Sequence, residues 1–263
     1  MRAKNILAAL ALVVALPAHA VGRLTDATDL WWNAAEPGWG VNVTHQNDII
    51  FLTFFVYSAS RNPVWYSASE VRYEGTNNGV MTFQGALYET QGSWYADNFY
   101  NAASVTYRQV GTVMFRMTSI GTATLVYTAD GRTISKDLTR FTWRVNEVGG
   151  QYIGAIAGNY SSCPTSFDNG YREENVRHVL TQTASNLTIQ STGSTATCTL
   201  SGAYRQEGRM GAMAGPYSCT NGTTGSFQAF EIEANPQGFS ARVETTTNNC
   251  NFSGRVGGVR RAG

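Results

Sequence analysis

"IIFLTFFVYSASRNPVWYSASEV" (residues 49–71) decides the fold. Its first nine residues, Ile49–Tyr57, are rich in β-branched and aromatic side chains and are apolar on both faces. That composition reads as a strand, and a strand apolar on both faces is expected to be covered on both. "SASRNP" follows as a turn, because Pro63 forces Asn62 into extended or turn geometry. "VWYSASEV" (64–71) then resumes as the returning strand.

The same texture runs onward through "GVMTFQGALY" (79–88), "GTVMFRM" (111–117), "TATLVYT" (122–128) and "ISKDLTRFTWR" (134–144). Ala129-Asp130-Gly131 supplies a hairpin turn between the last two. About seven or eight short strands with short turns imply an antiparallel meander, curled into a barrel or folded as a sandwich. Only 14% of the residues are charged, Gly (27) and Tyr (13) are abundant, and helical periodicity is lacking. The predicted class is all-β.

The chain opens with Arg2 and Lys4, an apolar run to Pro17 and then Ala18-His19-Ala20. This is the pattern of a secretory signal peptide, with cleavage expected after Ala20. No cysteine adjoins it to carry a lipid, and no later stretch is apolar for long enough to span a bilayer as a helix. The expected location is the periplasm or the extracellular space. Of the 19 basic residues, Arg2 and Lys4 leave with the leader, so 17 basic residues face 18 acidic ones. Such a balance speaks against nucleic acid as a partner.

Two halves differ in chemistry. All six tryptophans precede residue 150 and all four cysteines follow it. Gly149-Gly150 and Gly154 break the chain between them, so a Trp-rich β domain is expected over 21–149 and a second over 150–263. The second half repeats itself: "GNYSSC" (158–163) returns as "GPYSC" (215–219), and "CTLSG" (198–202) as "CNFSG" (250–254). Four cysteines allow three pairings. If each copy closes its own loop, the bridges are Cys163–Cys198 and Cys219–Cys250. A zinc site is the rival, but no C-x-x-C occurs and His178 is the only histidine near.

Upstream, "DLWWNAAEPGWGVNVTHQ" (29–46) holds three indoles. With the segment that follows, it resembles a module recurring in exported proteins of Gram-negative bacteria, marked by W-W-N-x-x-E-x-G-W-G-[IV]-N and a later P-x-W-Y. The matches include Trp31, Trp32, Asn33, Glu36, Gly38, Trp39, Gly40, Asn42, Pro63, Trp65 and Tyr66, within roughly residues 29–145. "YRQEG" (204–208) and the cysteine repeat are similar to segments that accompany the module. The resemblance implies export and modularity, and brings no chemistry with it.

Indole and phenol rings either fill a β-core or form a stacking platform for a sugar or a flat apolar ligand. Adjacent residues of a strand face opposite ways, so Trp31-Trp32, Trp65-Tyr66 and Trp94-Tyr95 cannot each be buried in one interior. The candidate ligand-binding set is therefore Trp31, Trp32, Asn33, Trp39, Asn42, Trp65, Tyr66, Trp94 and Asp97. The signatures G-x-S-x-G, S-x-x-K, H-E-x-x-H and the phosphate-binding loop do not occur. No catalytic residue, metal ligand or cofactor is assigned. The expected function is a non-catalytic binding or accessory protein presenting an aromatic groove to a glycan or small apolar ligand. Two alternatives stand: a secreted hydrolase with a carboxylate pair drawn from Glu36, Glu70, Glu74, Glu89 and Asp97, and a structural or adhesive envelope component.

Overall fold

The computed structural model describes residues 25–261, apart from Asp97, Asn248 and the side chain of Phe167. The expected leader lies outside the described residues. The chain forms two closed, eight-stranded antiparallel barrels. The first runs β1 (Asp29–Trp32), β2 (Gly40–Gln46), β3 (Ile49–Tyr57), β4 (Pro63–Asn77), β5 (Val80–Gln91), β6 (Thr106–Met117), β7 (Thr122–Ala129) and β8 (Arg132–Arg140). Each strand pairs with its successor, and Trp31 opposite Arg140 closes the ring. The hairpin at 129–131 has both Asp130 and Gly131 at positive φ, the twist that a two-residue hairpin needs.

The second barrel follows the same up-and-down order. Its strands are β9 (Gly150–Ser161), β10 (Gly170–Gln182), β11 (Asn186–Thr192), β12 (Thr197–Glu207), β13 (Met210–Cys219), β14 (Thr224–Ala234), β15 (Gly238–Thr246) and β16 (Asn251–Arg260). β16 pairs back onto β9 along ten residue pairs from Asn251–Ser161 to Arg260–Tyr152.

Period-two burial explains both interiors. Along β3, Ile50, Leu52 and Phe54 point inward and are wholly buried. Trp31, Phe54, Phe83 and Phe115 fill the first barrel, Trp31 meeting Phe115 edge-on at 5.3 Å. The outer face of β3 corrects an expectation. Phe51, Phe55 and Tyr57 are exposed rather than covered, because a closed single-layer barrel has no second sheet to lie over them.

The disulfide pairing is also corrected. The bridges are Cys163–Cys250 and Cys198–Cys219, not Cys163–Cys198 and Cys219–Cys250. Each repeat copy is four strands long, so the first strand of one copy lies beside the last strand of the other. Cys198 ends up directly opposite Cys219 across β12–β13, and Cys163 and Cys250 flank the β9–β16 closure. The copies do carry matching bridges, but the bridges join one copy to the other.

The barrels meet through their ends. The β12–β13 turn inserts Arg209 against the first barrel, where its backbone N–H donates to Asp29 Oδ2 at 2.9 Å and its Nε to the Thr28 carbonyl at 3.0 Å. Arg209 also pairs with Asp26 and Glu233. Arg140, buried, donates to the same Asp29 oxygen at 3.2 Å and lies 4.6 Å over the Trp31 ring. "YRQEG", 204–208, thus forms the strand and turn that dock on the first barrel. Gly208 at φ 63° makes that turn, and its N–H donates to Thr142 Oγ1 at 2.9 Å.

Candidate functional site

Even-numbered connections of a meander gather at one end and odd-numbered ones at the other. The β1–β2, β3–β4 and β5–β6 loops therefore share the end of the first barrel away from the second; of the expected aromatic set they carry Trp39 and Trp94, while Trp31, Trp32, Trp65 and Tyr66 lie on strands. The pleat splits the rings. Trp31 is sealed inside at 0% exposure, its Nε1 donating to the Ala27 carbonyl at 2.9 Å, so it cannot face a ligand. That is a correction: its indole is core, not groove. Trp32 is half-buried on the outer face against Phe141, with ring centroids 4.9 Å apart. Tyr66 turns inward to Phe54, while Trp65 stays outside at 58% exposure, opposite Phe55 at 52%. Trp94 and Tyr95 are both exposed, since they sit on a loop where the pleat no longer applies. Asn42 is exposed on β2, and Asp97 lies outside the described residues.

The rest of the tryptophan motif is explained by the β1–β2 connection. Asn33 Oδ1 accepts from the Ala35 N–H at 2.9 Å and shapes the turn. Glu36 accepts from Trp39 Nε1 at 3.1 Å and from Lys136 Nζ at 2.7 Å. Lys136, hydrogen-bonded to Glu36, holds that carboxyl below its ordinary pKa. Lys136 also lies 5.7 Å over the Trp39 ring, so the one lysine among the described residues clips this loop to β8. Glu36, Glu70 and Glu89 are each paired with a cation, Lys136, Arg72 and Arg108 respectively.

The second barrel supplies a feature that residue patterns did not point to. Its inner half is packed by Tyr152, Leu187, Ile232 and Phe239. Its outer half opens into a cavity of about 670 Å³. The mouth is framed by both disulfides, and the wall carries Ile156, Val176, Ile189, Leu200, Val243 and Val256 among polar groups. This is the size range of small-molecule sites, and eight strands leave room for one such guest.

The repeat furnishes the mouth. Tyr160 of "GNYSSC" and Tyr217 of "GPYSC" both line it, Tyr160 packing on Phe252 at 5.0 Å. Burial, then the adjacent Tyr217 and Glu174, push the Tyr160 pKa up, so its hydroxyl remains a hydrogen-bond donor at neutral pH. Glu174 Oε1 accepts from the Ser194 N–H at 2.6 Å and its Oγ at 2.8 Å, which fixes the β11–β12 turn at the rim.

Deeper on the wall, Ser191 Oγ lies 2.8 Å from Nδ1 of His178, which is wholly buried and edge-on to Phe239. Burial pushes the His178 pKa down to about 4, so the ring is neutral. These two residues are 13 apart in sequence and pair only through the β10–β11 register. Register was the missing signal. No group of three or more metal-ligating side chains is found among the described residues. Nor is any helix there long and apolar enough to cross a membrane. No protein-family model matches the chain, and no curated protein matches it.

Proposed function

We propose that this chain is a non-catalytic binding protein whose ligand, a small and largely apolar molecule, occupies the mouth of the second barrel. The observation that carries this reading is the 670 Å³ cavity itself, open at one end and walled by aliphatic side chains with a few hydroxyls. Filling it removes apolar surface from water at about 25 cal/mol per Å², with little reorganisation because both bridges already brace the rim. A neutral apolar dye, N-phenyl-1-naphthylamine, is the first probe. Its fluorescence is expected to rise on addition of the full chain, saturating at one dye per chain. Thr245→Trp, which places an indole in the mouth, is expected to abolish the rise. A chain that leaves the dye dark, or a blocked variant that still lights it, defeats the proposal.

A second reading rests on a different observation. Phe55 and Trp65 form an exposed cross-strand aromatic pair on the outer face of the first barrel. Paired rings of this kind suit a sugar face, and Trp65→Ala is the variant that separates glycan capture there from occupancy of the cavity.

A further inference from the structure

The two copies in the second barrel differ at one informative place. Their middle hairpins share an inward pattern: Val176, His178 and Leu180 in one, Phe227, Ala229 and Ile232 in the other. Ser191 and Val243 stand at the 52-residue offset of the repeat, and both line the cavity. Ser191 faces His178 across β10–β11, whereas Val243 faces Ala229 across β14–β15. The same point of the wall is thus a polar pair in one copy and an apolar pair in the other. The apolar version closes the hairpin just as well, so the fold does not require the histidine and serine, and burying polar groups costs free energy.

We infer, building on the cavity reading above, that the His178–Ser191 pair is a recognition point on the cavity wall, and that the ligand carries a hydroxyl or N–H donor on the edge facing it. The geometry sets the polarity. His178 Nδ1 faces the Ser191 hydroxyl at 2.8 Å, while Nε2 is buried without a well-formed hydrogen bond. With the ring proton assigned to Nε2, Nδ1 accepts from the Ser191 hydroxyl. Ser191 Oγ, with its hydrogen turned to the histidine, presents lone pairs to the cavity. A donor on the ligand completes the relay, and an ether oxygen there meets lone pairs.

Competition against the bound dye tests this with 2-naphthol and 2-methoxynaphthalene, which share a ring system and differ in the donor. The full chain is expected to prefer 2-naphthol by about tenfold, the worth of one neutral hydrogen bond. Ser191→Val, which installs the residue of the other copy, is expected to erase the preference while the dye still binds. Equal competition in the unaltered chain, or failure of 2-naphthol to displace the dye, overturns this inference and leaves the cavity reading standing. Loss of dye binding to the unaltered chain removes the cavity reading itself. Because the first comparison needs no variant, a Ser191→Val chain that fails to fold does not rescue the idea.

Discussion

Trp31 and Trp65 show how far a single position decides an indole's role. Trp31 packs on Phe115, donates to Ala27 and carries Arg140 over its face, all inside the barrel. Trp31→Ala is expected to cost about 3–5 kcal/mol. Trp65→Ala on the outer face is expected to change stability by no more than about 0.5 kcal/mol. Denaturant melts of the two variants check both figures. His178 makes a pH test. Its folded pKa, about 4, lies below the ordinary 6.5, so the unfolded chain takes up the proton first as pH falls. This contribution is therefore constant above about pH 6.5 and drains away down to about pH 4, by about 3 kcal/mol in all. His178→Ala is expected to flatten that window in melts run from pH 7 to pH 4. A slope unchanged by the substitution contradicts the buried neutral ring. At this scale the sequence was half legible. The pleat says that Trp31 and Trp32 must part, but not which turns inward, because that depends on the β1–β8 closure between residues about a hundred positions apart.

The strands were readable from composition, and their ends less so. β4 runs from Pro63 to Asn77, past the expected Val71, because a bulge between Ser67 and Arg72 lets it bend and go on pairing with β5. The tryptophan motif reads as an element-level device: turn, ion pair and indole together fasten the β1–β2 connection. The bridges show why a repeat alone could mislead. Matching copies imply matching bridges, and that logic holds equally for bridges within or between copies; only barrel closure chooses between them. Non-reducing peptide mapping is expected to recover Cys163 with Cys250 and Cys198 with Cys219. The bridges join positions 87 and 21 residues apart. In the chain-entropy relation, loops of these sizes are worth about 4.6 and about 3.3 kcal/mol. Replacing the Cys163–Cys250 pair by serines is therefore expected to lower stability more than replacing Cys198–Cys219, and the reverse order in melts contradicts the closure assigned to the longer bridge.

Seen whole, the chain is two barrels fastened end to end by Asp29, Arg140 and Arg209, with different interiors. The first is filled by rings, and its loops carry aromatic side chains at the outer end. The second is filled only halfway, and its disulfide-framed mouth opens at the end remote from the first barrel. The polar contacts between them occupy the closed ends, so neither outward end is covered by the other barrel. A small guest belongs in the second barrel on these grounds, and the question is where it goes when offered both surfaces. Amide chemical shifts of the isotope-labelled full chain, followed while N-phenyl-1-naphthylamine is added, answer it directly. Shifts concentrated at Tyr160, Ser191, Tyr217 and Val243, with Phe55 and Trp65 silent, are the expected result. Shifts on β3 and β4 of the first barrel, or none anywhere, would contradict it.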